Sequence, residues 1–237
     1  MVAVILRLVS YNLHEYVGTD GDRSPRRILE VLDGLGADLL LLQEVRNTHR
    51  ADQQFPVIDW LADRLGMTAF LGTTLLRDDA PYGNACLSRY QPATWQRHDL
   101  SVTGREPRGL LEMQFGAELG GLRVLTTHLG LRPRERRQQY QRIGELLNNR
   151  PAPSTVLGGD FNDRRLPRAF RRTVPGASTV GRPSFPSRWP VLSLDRIHVW
   201  PEARLRSFAV VQNEQARVAS DHLPVVAEID ITPTSDE

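Results

Sequence analysis

Four consecutive leucines, Leu39 to Leu42, form the uninterrupted apolar centre of the stretch from Ala37 to Gln43 and constrain this chain more than any other segment. A strand with one wet face alternates apolar and polar residues, whereas a short run without polar interruption fits a strand covered on both faces. The chain must therefore supply structure above and below this strand. It must also find a partner for the carboxylate of Glu44, which closes the run.

The other segments can supply those layers. Val4 to Tyr11 is a β-rich run, and Ser24 to Gly34 reads as a helix with Ser24 as cap, Pro25 at its first position and Ile28, Leu29, Val31 and Leu32 as its apolar stripe. Phe55 to Leu65 has helical spacing. Ala69 to Leu76 and Gly83 to Ser88 read as strands, the latter running into a polar loop. Leu110 to Phe115 and Leu122 to His128 read as a hairpin joined at Gly120-Gly121. Arg134 to Leu147 is an amphipathic helix with Tyr140, Ile143, Leu146 and Leu147 on one face. Thr155 to Gly158 is a short buried strand, followed by a helix-like stretch through Phe170. Leu194 to Val199, Ser207 to Val211 and Val225 to Ile231 complete a strand-rich last third. This order is neither a strict βαβ alternation nor an all-β ladder, and it predicts a mixed sheet, or two packed sheets, with helices outside. With 237 residues, 40% of them hydrophobic, and no linker-like stretch, one domain over residues 1–237 is expected.

Composition narrows the chemistry. The net charge of +2 is not that of a non-specific nucleic-acid binder. All 30 basic residues are arginine, whose planar fork suits phosphate. A single cysteine, Cys86, excludes an intrachain disulfide and a cysteine-built metal site, so any metal must be held by carboxylate, amide or imidazole. Met1 to Leu8 is too short for a signal sequence, and no run approaches the roughly 20 apolar residues of a membrane span. A soluble, cytoplasmic protein is expected, with no obligate protein partner evident.

Polar residues recur at the ends of the apolar strands: Asn12, Glu44, His128, Asp160 with Asn162, Asp195, and Asp221 with His222. Strand ends in α/β folds converge on a common crevice, which makes this recurrence informative. Each residue alone has a plain structural reading. Gly158-Gly159-Asp160-Phe161-Asn162 could be an Asx-stabilised tight turn. Asp221 and His222 could be capping groups, Asp195 could pair with Arg196, Glu44 could form a buried salt bridge, and His128 could be a satisfied structural histidine. Read together, Asp195 could orient a histidine, and Glu44 with Asn12 could offer oxygen ligands to a hard divalent cation. Two arginine clusters, Arg132, Arg134, Arg136 and Arg137 and then Arg164, Arg165, Arg168, Arg171 and Arg172, follow two of the candidate loops and could attract anions.

The segments Val9-Ser10-Tyr11-Asn12-Leu13-His14, Leu41-Leu42-Gln43-Glu44-Val45, Thr127-His128-Leu129, Gly159-Asp160-Phe161-Asn162, Leu194-Asp195-Arg196-Ile197 and Ser220-Asp221-His222-Leu223-Pro224 resemble, in order, the motifs of the endonuclease/exonuclease/phosphatase superfamily. The resemblance implies a four-layer α/β/β/α sandwich, with two mixed sheets flanked by helices, and a metal-dependent phosphoesterase. By that resemblance Asn12 and Glu44 would hold Mg²⁺ or Mn²⁺, with Asp221 as a further metal-side carboxylate. Asp160 would orient or deprotonate the attacking water, and Asn162 would steady it. His222, oriented by Asp195, would hydrogen-bond a phosphate oxygen, and His128 would do likewise or assist the leaving group. The opening Asn12-Leu13-His14 and Tyr82-Gly83-Asn84-Ala85 look most like the small bacterial hydrolases of the superfamily, which makes His14, Asn84 and Arg108 substrate-contact candidates. A phosphodiesterase is the leading expectation, a nuclease on DNA or RNA its nearest rival, and a catalytically silent binding or scaffold protein on the same fold the alternative from another class.

Overall fold

The computed structural model describes residues 4–49, 56–149, 152, 154–164, 170, 178–201 and 204–232. Two six-stranded sheets form its centre. The strands are β1 (Ile5–Asn12), β2 (Leu39–Arg46), β3 (Thr68–Arg77), β4 (Ala80–Ser88), β5 (Thr94–Asp99), β6 (Gly109–Gln114), β7 (Leu122–His128), β8 (Ser154–Asp160), β9 (Ser178–Val180), β10 (Asp195–Trp200), β11 (Leu205–Val210) and β12 (Val225–Asp230). One sheet has the order β11-β12-β1-β2-β4-β3 and the other β5-β6-β7-β8-β10-β9. Each has one parallel pair at its middle, β1 with β2 and β7 with β8.

The leucine run explains the layering. Leu39 and Leu41 point between the sheets and pack with Leu8, Cys86, Val124, Val156 and Ile197. Leu40 and Leu42 point outward, against α1 (Pro25–Gly34) and α2 (Val57–Leu65), through Ile28, Leu32, Ile58 and Leu61. On the far side of the second sheet, Tyr140 and Ile143 of α3 (Pro133–Asn149) pack with Leu125, Leu157 and Phe161. The result is the expected four-layer sandwich of helices, two mixed sheets and helices. Ser24 caps α1 by accepting from Arg27 N at 3.3 Å. No helix among the described residues is long and apolar enough to cross a membrane.

Several elements differ from the sequence expectation. The polar loop after Ser88 contains β5, whose exposed-and-half-buried pattern at the sheet edge carries no apolar alternation. Gly120-Gly121 closes a longer connection that includes the short turn Ala117–Leu119. A brief helix, α4 (Glu214–Ala219), is capped by Asn213, which accepts from Ala216 N at 2.8 Å. Phe55 and residues 165–169 of the helix-like stretch toward Phe170 lie outside the described residues. So do Arg165, Arg168, Arg171 and Arg172.

The glycines before Asp160 lie within β8 and make no tight turn. A side chain at Gly158 would meet Leu41 Cδ1 of the opposing sheet at 2.7 Å, and one at Gly159 (φ +151°) would meet the Thr127 carbonyl oxygen at 1.9 Å. Glycine here permits close approach of sheet to sheet and strand to strand. The turn follows one residue later, where Asp160 Oδ1 accepts from Asn162 N at 2.8 Å.

Candidate active site

Sheet register brings the candidate residues to one end of the sandwich. Asn12 and Glu44 leave the ends of β1 and β2. His128 pairs across β7 and β8 with Asp160, and Asp160 pairs across β8 and β10 with Asp195. His222 precedes β12, which runs antiparallel to β1. A bulge between Leu42 and Val45 turns Glu44 (φ 54°) out of the ladder. Just before it, Gln43 Nε2 reaches Ser10 Oγ at 3.3 Å and Thr126 Oγ1 of the other sheet at 3.2 Å, pinning the sheets together beneath the site.

The polar atoms form one connected cluster. Asn12 Nδ2 donates to Glu44 Oε1 and to Asp160 Oδ2, both at 3.1 Å, and so spans the two sheets. Asp160 Oδ2 also lies 3.5 Å from His128 Nε2 and 3.6 Å from His222 Nε2. On its other side, His222 Nδ1 is 2.8 Å from Asp195 Oδ2, which also accepts from Ser184 Oγ. Asp195 therefore pairs with His222; Arg196 turns away and donates to the Asp163 carbonyl at 2.6 Å. Asp221 is half-exposed at the edge, 3.8 Å from His14 Nδ1.

The two imidazoles sit in opposite electrostatic settings. Burial would lower the pKa of His222, but the charges of Asp195 and Asp160 and the hydrogen bond that it donates to Asp195 outweigh it and push it up to about 10. His128 is lowered to about 3 by burial and by the charge of Arg108, whose Nη1 stands 3.3 Å from Nδ1. One imidazole is thus a fixed cation at neutral pH and the other a fixed neutral ring. Asn162 Nδ2 lies 3.0 Å from His128 Nε2 and donates to the Leu129 carbonyl at 2.9 Å.

Of the three substrate-contact candidates, Arg108 and Asn84 line a small recess beside His128, with Thr74, Tyr82, Gly83 and Gly109. Asn84 is buried and donates to the Gly109 carbonyl at 3.1 Å, which makes it a tie between the sheets. His14 lies at the edge, with Nδ1 3.0 Å from the Val17 carbonyl. The first arginine cluster divides: Arg136 is buried and donates to the carbonyls of Gly130 and Leu131, whereas Arg132, Arg134 and Arg137 are exposed.

Sequence reasoning missed Ser184 and Phe185 and gave Ser220, within its motif, no role of its own. Ser220 Oγ donates to the Asn12 carbonyl at 2.8 Å and lies 3.2 Å from His222 N, while the Phe185 ring packs 4.7 Å from that of His222. Serines and a phenylalanine in a polar loop give no pattern to detect. Backbone strain gives a clearer signal. Among the described residues, five of the seven non-glycine residues with positive φ are His14, Glu15, Tyr16, Glu44 and Asn162, all at this end of the fold. Such residues cost about 1–3 kcal/mol each and gather where a site holds them in place.

The donors also suit a divalent cation. Glu44 is raised by burial and by the nearby charges of Asp221 and Asp160, against the hydrogen bond from Asn12. No arginine pairs with it among the described residues; its nearest basic group is His128 Nε2 at 4.0 Å. Asp195 Oδ1 is buried without a hydrogen-bond partner among those residues. A cluster short of positive charge and rich in carboxylate and amide oxygen fits a hard cation such as Mg²⁺ or Mn²⁺. Asp160, Asp195 and His222 also come within 4.8 Å of one another, but there His222 Nδ1 and Asp195 Oδ2 already engage each other at 2.8 Å. Asn12 and Glu44 are the better fit.

A sandwich of two mixed sheets between helices, with this polar cluster at one end, defines the DNase I-like class of folds. The structure aligns with an endonuclease/exonuclease/phosphatase protein from Beutenbergia cavernae at a TM-score of 0.76 and 20% identity, covering 95% of this chain and 71% of that one. It aligns with Danio rerio TDP2 complexed with single-strand DNA product at 0.70 and 19%, covering 95% and 99%. YbhP of Escherichia coli K12, an uncharacterized protein, is 33% identical, with 82% of this chain and 84% of YbhP covered. The signature of the endonuclease/exonuclease/phosphatase family matches residues 9–222, and the chain belongs to that family.

Proposed function

We propose that the chain is a divalent-metal-dependent phosphodiesterase that hydrolyses a phosphate ester by attack of water. The observation that carries this reading is the convergence on Asp160 Oδ2 of Asn12 at 3.1 Å and His222 at 3.6 Å, with Glu44 bound to the same Asn12. Asn12 and Glu44 would hold Mg²⁺ or Mn²⁺, with Asp221 on the same side, and the ion would supply Lewis-acid stabilisation of phosphoryl charge. Asp160 accepts hydrogen from the attacking water, and Asn162 steadies it. His222, charged and fixed by Asp195, donates to a non-bridging phosphate oxygen as negative charge builds there. His128 is neutral and donates without adding charge. Burial and the charge of Arg108 keep it neutral, and Arg108 and Asn84 would contact substrate from the recess and His14 from the edge.

A nuclease is the second reading, favoured by the likeness to TDP2 with its DNA product. Hydrolysis of bis-p-nitrophenyl phosphate, p-nitrophenyl phosphate, plasmid DNA and single-stranded RNA, with Mg²⁺, Mn²⁺ or EDTA, tests both. Metal-dependent turnover of the small diester, abolished by Asp160→Ala, supports the leading reading. Turnover restricted to nucleic acid and falling steeply with salt supports the second. Wild-type rates in Asp160→Ala overturn both.

A further inference from the structure

Seven large apolar side chains stand exposed among the described residues: Val4, Ile5, Leu76, Trp95, Leu131, Trp189 and Val191. Singly they are unremarkable. Leu131, Trp189 and Val191, however, are 69%, 79% and 70% exposed and lie on loops at the active-site end. The registers of β7, β8 and β10 put His128, Asp160 and Asp195 side by side there. The segments leaving that row are residues 129–132 after β7, 161–164 after β8 and 181–194 before β10.

The charge on these segments has one sign at the surface. Arg132, Arg164, Arg182 and Arg188 are exposed, and Arg134 joins them from the first turn of α3. No acidic residue is exposed among the described residues of these segments; Asp163 is half-buried beside Arg136, and Glu135, in that first turn, is buried. The loop that carries Trp189 is tied to the site. Ser184 bonds Asp195, Phe185 packs on His222, and Ser187 N donates to the Asp221 carbonyl at 2.7 Å. Trp189 N donates to the Pro186 carbonyl at 3.0 Å and Leu192 N to the Phe185 carbonyl at 2.9 Å, which fixes the loop's apex.

Tryptophan with aliphatic side chains, set among arginines, is the composition of a surface that enters a lipid interface, and the exposed acid beside Trp189, Asp20, is paired with Arg27 at 2.8 Å. The apolar groups settle at the headgroup and acyl boundary, and the guanidinium groups meet lipid phosphates. Nucleic acid fits less well, because base stacking needs aromatic platforms and Leu131 and Val191 provide none. We propose that this rim docks the protein on an anionic phospholipid bilayer, and, resting on the phosphoesterase reading, that the phosphate ester entering the site is carried by that bilayer.

The test is sedimentation of the purified chain with vesicles of phosphatidylcholine alone and of phosphatidylcholine mixed with phosphatidylglycerol, beside turnover of bis-p-nitrophenyl phosphate. The wild type is expected to sediment with the mixed vesicles and to be released by salt. The combined variant Leu131→Ser, Trp189→Ala, Val191→Ser is expected to bind them about tenfold more weakly or worse, with turnover of the soluble diester unchanged. Failure of the wild type to sediment, or wild-type binding by the variant, overturns the proposal. So does binding of a single-stranded oligonucleotide, lost in Trp189→Ala, by protein that ignores vesicles. Absence of turnover of the small diester, of p-nitrophenyl phosphate and of nucleic acid alike, in protein that still sediments with the mixed vesicles, supports the docking surface and overturns the phosphoesterase reading alone.

Discussion

Nδ1 of His222 lies 2.8 Å from Oδ2 of Asp195, and both side chains are buried. Asp195→Asn keeps the shape of that contact and removes its charge. Turnover is expected to fall by about 10²-fold or more, the range for a displaced acid or orienting group. His222→Ala with Asp195→Asn should be no worse than His222→Ala alone, because the two act as one unit. A multiplicative loss in kcat for the double variant refutes the pairing.

The same pair sets a pH dependence. The folded pKa of His222, about 10, exceeds the usual 6.5, so its contribution to stability is complete below about pH 6.5 and is lost as pH rises toward 10. Urea midpoints of the wild type should decline over that window. Asp195→Asn should flatten the decline. A wild-type midpoint that rises between pH 7 and 10 contradicts this sign.

Much of this arrangement was legible in the sequence, because strand ends and the order of the polar motifs are local patterns. The leucine run specified burial on both faces, and Leu39 to Leu42 alternate between two cores as that requires. Long-range partners were not legible. Ser184 bonds Asp195 from 11 residues away, and Ser220 reaches the Asn12 carbonyl from 208 away. The Gly158-Gly159 pair looked like a turn because its cause, the proximity of Leu41 and Thr127, exists only after the sheets pack.

That packing gives a graded prediction. Gly158→Ala meets a side-chain methyl that can shift, and should cost about 1–3 kcal/mol. Gly159→Ala meets the Thr127 carbonyl and a φ of +151°, and should cost more than about 3 kcal/mol or abolish folding. Thermal unfolding of the two variants checks the order, and equal losses count against it.

Away from the site, Glu112 joins β5, β6 and β7. Its carboxylate takes Arg123 Nε at 2.7 Å, His98 Nε2 at 2.5 Å and Gln96 Nε2 at 3.0 Å. Burial would raise its pKa, but these bonds and the charge of Arg123 hold it down at about 2. A depressed carboxylate stabilises the fold above its unfolded value near 4.5, and that contribution fades as pH falls toward 2. Glu112→Gln should cost about 3 kcal/mol at pH 7, since it leaves Arg123 buried against a neutral group. It should also weaken the acid sensitivity of the urea midpoint between pH 5 and 2. An unchanged midpoint at pH 7 rejects this account.

Metal binding separates the two ligand groupings that the site offers. An ion held by the folded state alone raises stability by about 2.7 kcal/mol at one hundred times its Kd. Mn²⁺ or Mg²⁺ added to EDTA-stripped protein should therefore raise the melting temperature and restore turnover. Held by Asn12 and Glu44, the ion should lose that stabilisation in Glu44→Gln and keep most of it in His222→Ala. Held instead by Asp160, Asp195 and His222, it should show the reverse. The first outcome is expected, because Glu44 carries the cost of burial with no arginine partner among the described residues, whereas His222 and Asp195 already pair with each other. Removing the negative charge of Glu44 should also raise the melting temperature of the metal-free protein, since the carboxylate is strained only while the ion is absent.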